Sequence, residues 1–115
     1  MTPIASSLYE GIRSRKLASE QFTELLSAPG LRVARIVSDG HTTPESEWYD
    51  QETGELVFVI QGAALVLFEA SGAEVSLVPG DYVNIAPHER HRVTWTDLAQ
   101  KTVWLVIHYD ASRDE

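Results

Sequence analysis

The sequence predicts an all-β domain, folded as a sandwich or a barrel. From residue 31 onwards, β-branched and aromatic residues recur with a period of two, which is typical of strands. Turn signals that contain glycine or proline interrupt this pattern about every 8 to 12 residues, so that about eight short strands are expected. Together these two observations favour a closed or double-layered antiparallel architecture.

The size and composition are those of one ordinary globular domain. The chain has 115 residues, of which 43% are hydrophobic, enough to form a core without covalent staples. It contains no cysteine, which excludes disulfides, zinc ribbons and a thiolate nucleophile and fits a reducing compartment. The net charge of -8 makes nucleic acid and anionic membranes poor partners. Because the sequence shows no signal peptide and no apolar run long enough to span a membrane, we expect a cytoplasmic protein.

The first 30 residues are predicted to form an arm followed by a short helix. Residues 1–18 mix apolar and basic side chains without a clear period, and we interpret them as an arm. A helix is predicted over residues 19–28, because Ser19 is a suitable N-cap and Phe22, Leu25 and Leu26 share one helical face. Pro29-Gly30 would end it. We expect this helix to pack outside the barrel.

The strands of the barrel are predicted in chain order between residues 31 and 109. The first covers residues 31–36, and a polar loop over residues 41–47 separates it from a short strand at 48–51. The strand at 55–61 is apolar on both faces, as expected of a covered strand. The remaining predicted strands are 63–69, 75–78, 82–86, 91–96 and 101–109. The polar tail, residues 110–115, is expected to fray.

Two spaced motifs connect these strands to a known family. Six residues separate Glu55 from Gly62, and ten residues separate Gly80 from His91, with Asp81 beside that glycine. In this spacing the chain resembles a small single-domain cupin, over about residues 31–109. The resemblance implies a jelly-roll barrel, also called a double-stranded β-helix, whose interior holds a metal ion on three histidines and one glutamate.

The chain departs from the family pattern at several motif positions. The two histidines of the first motif would fall at Tyr49 and Gln51, or at Trp48 and Asp50 with a longer gap. In the second motif, His88 and Trp95 replace the usual glycine and asparagine, and proline comes one residue late at position 87. Only Glu55 and His91 remain of the usual ligands.

Glu55 and His91 are the main candidates for a functional site. A carboxylate facing a barrel interior needs a partner, so Glu55 is interpreted as a metal ligand or a group that fixes a substrate. The alternative for Glu55 is an exposed residue at the start of its strand. His91 is interpreted as a metal ligand, since neutral imidazole is the commonest one. Its alternative is a hydrogen-bonded histidine near the barrel mouth.

Three further residues are candidates for the places of the missing histidines. Gln51 is favoured over Asp50 to point inward, because adjacent strand residues face opposite ways and the gap to Glu55 suits a short turn. Tyr49 would share its face and could act as a donor or acid. His108, on the last strand, could replace a lost ligand if its face looks inward. Otherwise it is a histidine at a strand end, stacked on an aromatic residue.

Two functional hypotheses follow, and both stay open at this point. The first is a metal-dependent enzyme, an isomerase, lyase or dioxygenase, in which Tyr49 and Glu55 are catalytic. Zinc, iron, manganese or nickel would be held by four residues, Glu55, His91, Gln51 and His108. The second is a metal-free module that binds or senses a small molecule.

The resemblance also implies a homodimer. The outer faces of two predicted strands carry apolar side chains that need a helix or a partner to cover them, namely Leu56, Phe58 and Ile60, or Leu105 and Ile107.

Overall fold

The computed structural model describes residues 2–111. Within these residues the chain forms eight strands and no helix. The strands are β1 (Gln21–Ala28), β2 (Leu31–Ser38), β3 (Gly54–Gln61), β4 (Ala64–Phe68), β5 (Glu74–Leu77), β6 (Tyr82–Ile85), β7 (His91–Thr96) and β8 (Thr102–Tyr109).

Two antiparallel sheets are formed by these strands. The large sheet has the order β1-β2-β8-β3-β6, and the small sheet has the order β5-β4-β7. The chain passes from one sheet to the other between β3 and β4, β5 and β6, β6 and β7, and β7 and β8. Repeated crossing between two antiparallel sheets is the arrangement of a jelly roll. The predicted all-β jelly-roll class is therefore confirmed.

The core lies between the two sheets. The two-residue period directs alternate side chains inward, and the buried cluster draws on both layers. Its larger members are Phe68, Leu77, Ile85 and Trp104, with Val57, Val59, Val66 and Val106 between them. Glu55 shares the inward face of β3 with Val57 and Val59, so the sequence pattern itself carries a carboxylate into the interior.

The predicted helix over residues 19–28 is wrong, because this segment forms strand β1. It pairs with β2 across the two-residue turn Pro29-Gly30, where Gly30 has φ 73°. Proline followed by a glycine of positive φ suits a type II turn. None of the three residues with helical spacing is buried: Phe22, Leu25 and Leu26 are 60%, 47% and 51% exposed, respectively. Hydrogen bonding along β2 therefore decides the structure of this segment.

The N-terminal residues are attached to the outer face of the large sheet by one arginine. The Arg35 side chain is buried, and its guanidinium donates hydrogen bonds to the backbone carbonyls of Leu8, at 3.0 Å, and Glu10, at 2.5 Å. It also donates to Thr23 Oγ1 at 3.1 Å. One guanidinium thus joins the arm, β1 and β2.

The end of β8 lies close to the turn between β1 and β2. The backbone N–H of Asp110 donates to the carbonyl of Gly30 at 3.0 Å. Most of the predicted frayed tail, residues 112–115, lies outside the described residues. No helix long and apolar enough to cross a membrane occurs in residues 2–111.

Candidate functional site

The site begins with a cross-strand pair inside the large sheet. Glu55 on β3 lies directly opposite His108 on β8, and both side chains are buried. His108 Nε2 is 3.5 Å from Glu55 Oε2. The other ring nitrogen, Nδ1, is 3.4 Å from Thr53 Oγ1. The face of β8 that carries His108 therefore looks into the barrel.

His91 reaches the same carboxylate from the small sheet. It is the first residue of β7, and its buried Nε2 lies 3.4 Å from Glu55 Oε1. Its Nδ1 is 2.8 Å from the carbonyl oxygen of Glu89. Because a carbonyl only accepts hydrogen bonds, Nδ1 carries a proton and Nε2 is turned towards the carboxylate. Metal-binding histidines are commonly oriented in this way through their second nitrogen.

The two imidazoles differ in their affinity for a proton. Burial lowers the pKa of His91. This effect is outweighed by hydrogen bonds to the Glu55 carboxylate and the Glu89 carbonyl and by the charge of Glu55, so the pKa lies above its ordinary value. Burial also lowers the pKa of His108, and the charge of Arg32 lowers it further. The charge of Glu55 acts in the opposite direction but does not cancel these effects, so the pKa lies below its ordinary value. The His91 imidazole therefore takes up a proton more readily than the His108 imidazole.

Tyr49 and Gln51 lie beside His91, in the segment before β3. The predicted strand over residues 48–51 is reduced to an isolated bridge, in which Tyr49 N donates to the His91 carbonyl at 2.8 Å. The ring of Tyr49 stacks on the His91 imidazole with centroids 5.5 Å apart. Burial, followed by the charge of Glu20, raises the pKa of Tyr49, so its hydroxyl remains a donor. The Gln51 side-chain oxygen, Oε1, is buried without a hydrogen-bond partner in residues 2–111.

The other polar candidates point elsewhere. Asp50 faces away from Gln51 and pairs with His88, whose Nδ1 lies 2.8 Å from Asp50 Oδ1 on the exposed rim. His88 has a φ of 61° and lies in the turn between β6 and β7. His41 accepts a hydrogen bond from the backbone N–H of Asp39 through Nδ1, at 2.9 Å.

A cavity of about 260 Å³ connects these groups to solvent. Its wall is mainly apolar, with Val57, Val66, Val93, Trp104 and Val106 among the lining residues. The candidates Tyr49, Gln51, Glu55, His91 and His108 all line it.

Two charged residues of the same cavity, Glu20 and Arg32, were missed by sequence reasoning. Glu20 accepts a hydrogen bond from the buried Ser38 hydroxyl, which also accepts one from Trp104 Nε1 at 3.0 Å. The signal available for Arg32 was the two-residue period of β2, which places it on the same face as Ala34 and Ile36.

The donor set fits a divalent transition metal by its chemistry, and each nitrogen–oxygen pair taken singly has a suitable spacing. Two imidazoles and one carboxylate are ligands of zinc and of non-haem iron. Metal–ligand bonds of about 2.1 Å in a tetrahedral site separate neighbouring ligand atoms by about 3.4 Å. The observed nitrogen–oxygen distances are 3.4 and 3.5 Å. The unpartnered Gln51 Oε1 offers a further oxygen.

The same side chains also contact one another directly. Each imidazole faces its own oxygen of Glu55. As they stand, no group of three or more His, Cys, Asp or Glu side chains within residues 2–111 is arranged to hold a metal ion. Metal binding therefore requires side-chain adjustment around Glu55.

Fold and site together define a jelly-roll barrel with a buried glutamate–histidine cluster. No family model matches the chain, and no curated protein matches it. The chain is similar to a crystal structure from Ralstonia eutropha JMP134, provisionally named a mannose-6-phosphate isomerase, with 38% identity, a TM-score of 0.90, and coverage of 95% of this chain and 100% of that one.

Two further structures share the fold at lower identity. One is a cupin superfamily protein from Desulfitobacterium hafniense DCB-2, with 18% identity, a TM-score of 0.69, and coverage of 85% of this chain and 83% of that one. The other is the polyketide cyclase RemF from Streptomyces resistomycificus, with 16% identity, a TM-score of 0.69, and coverage of 95% and 80%. The chain therefore has the fold of cupin superfamily proteins.

Proposed function

We propose that this cupin binds a divalent metal ion and a small oxygenated molecule inside its barrel. The observation that carries the proposal is the convergence of His91 and His108, from the two sheets, on the carboxylate of Glu55, with each Nε2 within 3.5 Å of one carboxylate oxygen. All three side chains are buried at a cavity whose remaining wall is mainly apolar. A few polar groups in an apolar concave site are the usual composition of a small-molecule site.

The metal would be held by Nε2 of His91, Nε2 of His108 and the carboxylate of Glu55. Bound there, it would act as a Lewis acid on an oxygen of the ligand. The Glu89 carbonyl fixes the His91 ring, so that Nε2 is available without a change of tautomer. Gln51 Oε1 has no partner among residues 2–111 and is free to bind the metal or to accept a hydrogen bond from a ligand hydroxyl.

Tyr49 and Glu55 are the residues to which we assign catalytic roles. The raised pKa of Tyr49 keeps its hydroxyl protonated, so it would donate a hydrogen bond or a proton to a ligand oxygen. The Glu55 carboxylate would accept a proton when it is no longer paired with the imidazoles. The names of the similar structures, an isomerase and a cyclase, favour isomerase or lyase chemistry on an oxygenated substrate over dioxygenase chemistry.

A metal-free binding or sensing module is the second candidate function. It is favoured by the side-chain arrangement, in which the two imidazoles already contact the Glu55 carboxylate. It is also favoured by Tyr49 and Gln51, which occupy the places of two histidines in the family motif. In this reading the cluster would hold a polar ligand directly by hydrogen bonds.

Metal content separates the two candidates. Protein purified without a metal-affinity tag is analysed by elemental analysis, before and after addition of zinc, nickel, manganese and ferrous iron. We expect about one equivalent per chain in the wild type and its loss in a Glu55→Gln, His91→Ala double variant. A His88→Gln variant is the matched control, because that histidine lies on the exposed rim, and it should retain the metal. Lack of metal in the wild type after every addition would reject the metal site and leave the metal-free module.

We also propose that the chain forms a homodimer through the outer face of the large sheet. That face carries half-buried apolar side chains on β3 and β8, including Phe58, Leu105 and Ile107. A second copy would remove this apolar surface from water.

A further inference from the structure

A row of three polar side chains crosses the large sheet at the site. Glu55 on β3 lies opposite His108 on β8, and His108 lies opposite Arg32 on β2. Directly paired residues point to the same face of a sheet, so all three side chains are directed into the barrel. With neighbouring strands about 4.8 Å apart, the backbone of Arg32 lies about 10 Å from that of Glu55. The row therefore extends from the buried cluster to the cavity mouth.

Arg32 stands at the mouth without a partner. Its side chain is exposed and lines the cavity together with Phe22 and Glu20. No carboxylate or carbonyl within residues 2–111 pairs with its guanidinium. Arg35, on the opposite face of the same strand, is by contrast buried and fully engaged with the N-terminal arm through its terminal nitrogens.

The charge of Arg32 stands beside the buried cluster, because Arg32 pairs with His108 across β2 and β8. The neighbouring carboxylates do not neutralise it. Glu20 is held by the Ser38 hydroxyl, and Glu55 by the two imidazoles. The cavity thus presents the guanidinium of Arg32, unpaired within the described residues, at its mouth, the Glu20 carboxylate in its wall, and a carboxylate–imidazole cluster at its inner end.

We infer that Arg32 binds an anionic group of the cavity's ligand, a carboxylate or a phosphate. A guanidinium matches the two oxygens of either group with two parallel N–H donors, which gives orientation as well as affinity. The anionic end would be held at the mouth and an oxygenated carbon directed towards Glu55 and His91. The inference rests on the proposed function, since it assumes that a small molecule occupies this cavity, and it narrows the ligand to a small oxygenated anion.

Three small probes test the inference by titration, followed through backbone amide NMR signals. Glycolate carries a carboxylate and a hydroxyl, ethylene glycol is its uncharged counterpart of similar size, and inorganic phosphate represents the other anion. In the wild type, glycolate or phosphate should bind at least about tenfold more tightly than ethylene glycol. The anion that binds more tightly identifies the ligand class.

Variants assign the preference to Arg32. Arg32→Gln should weaken binding of the preferred anion at least about tenfold and leave ethylene glycol unchanged, and Arg32→Lys should lose less. Arg15→Gln is the control, because that exposed arginine does not line the cavity and should change nothing. Any of three results would overturn the inference. These are equal losses of affinity in the two glutamine variants, equal binding of glycolate and ethylene glycol, and binding of no probe at millimolar concentration.

Metal content measured on the same samples keeps this test separate from the proposed function. Arg32→Gln should retain the metal content of the wild type, since Arg32 is not one of the proposed ligands. An anion preference lost in Arg32→Gln would support the inference even in a protein that takes up no metal. A metal-loaded wild type that shows no anion preference would overturn the inference and leave the metal site in place.

Discussion

Nε2 of His91 lies 3.4 Å from Oε1 of Glu55, although the two residues belong to different sheets. Glu55 is also in contact with His108 within its own sheet. One carboxylate therefore joins the two layers of the barrel at the inner end of the cavity. A buried charge of this kind is tolerated only when partners compensate it, and here two imidazoles do so.

Removing the Glu55 charge should lower the pKa of both buried histidines. Glu55 raises the pKa of His91 by hydrogen bonding and charge and opposes the lowering at His108. In metal-free Glu55→Gln, NMR titration should therefore show both imidazoles protonating at lower pH than in the metal-free wild type. His88 in the same spectra is the internal reference. Unchanged titration of His91 would show that the carboxylate does not act on it.

The same pKa shift predicts a pH dependence of stability. The pKa of folded His91 is raised above an unfolded value of about 6.5, so its stabilising contribution is complete below that pH and is lost as pH rises through the folded pKa. The free energy of unfolding is measured with urea for the metal-free wild type and a His91→Gln variant. The difference between the two should shrink as the pH rises. A difference that grows with rising pH would contradict the sign.

Replacement of Arg35 should release the N-terminal arm. Its guanidinium bonds to the carbonyls of Leu8 and Glu10 are lost in Arg35→Ala, at an expected cost of about 2 to 3 kcal/mol in the free energy of unfolding. Limited proteolysis should then cut within the first 20 residues while the barrel remains intact. Arg15→Ala, at an exposed site, should cost less than about 0.5 kcal/mol. Resistance of the arm to proteolysis in Arg35→Ala would contradict this role.

Acid should weaken a second contact of the arm, at Asp39. The backbone N–H of Leu17 donates to this carboxylate at 2.9 Å and lowers its pKa. Burial acts in the opposite direction, whereas the charges of Lys16 and Lys101 lower the pKa further. Because the folded pKa is depressed, the stabilisation is present above the unfolded pKa of about 3.9 and is lost as pH falls through the folded value. Urea midpoints of Asp39→Asn should fall less steeply between about pH 6 and pH 3 than those of the wild type. Glu45→Gln, an exposed loop residue, should follow the wild type.

The two motif glycines should differ in their tolerance of alanine. Both have a positive φ, 83° for Gly62 and 95° for Gly80. A Cβ at position 62 would also lie 2.7 Å from Thr102 Cα and 2.9 Å from the Lys101 carbonyl oxygen, whereas nothing lies within 4 Å of one at position 80. Gly80→Ala should therefore cost about 1 to 2 kcal/mol of strain, and Gly62→Ala at least about 2 kcal/mol more. Equal losses in denaturant melts would argue against the close approach of Gly62 to β8.

The proposed homodimer is tested by light scattering at micromolar protein. The wild type should have twice the mass of the chain, and Ile107→Glu should shift the mass towards the monomer, because it places a charge in the apolar outer face. Leu98→Glu, in an exposed turn, should leave the dimer unchanged. A monomer mass for the wild type would reject the dimer.

Local pattern alone was enough to predict most of the barrel. The two-residue period and the regular turns led to the all-β class, because these signals depend only on neighbouring residues. The barrel type was implied by the resemblance of the two spaced motifs, Glu55 to Gly62 and Gly80 to His91, to the cupin family. The segment over residues 19–28 shows the limit of such reasoning. Its apolar spacing suits a helix, yet pairing with β2 makes it a strand, and no local signal reports that pairing.

What the sequence determined was which chemical groups are present and which of them alternate along each strand. Only the tertiary structure decided that the face of β8 carrying His108 looks inward and that Arg32 stands in line with it. The physical reason is the register between strands far apart in the chain. A shift of one residue would turn every side chain of a strand to the other face, and that register is set by the packing of the whole barrel.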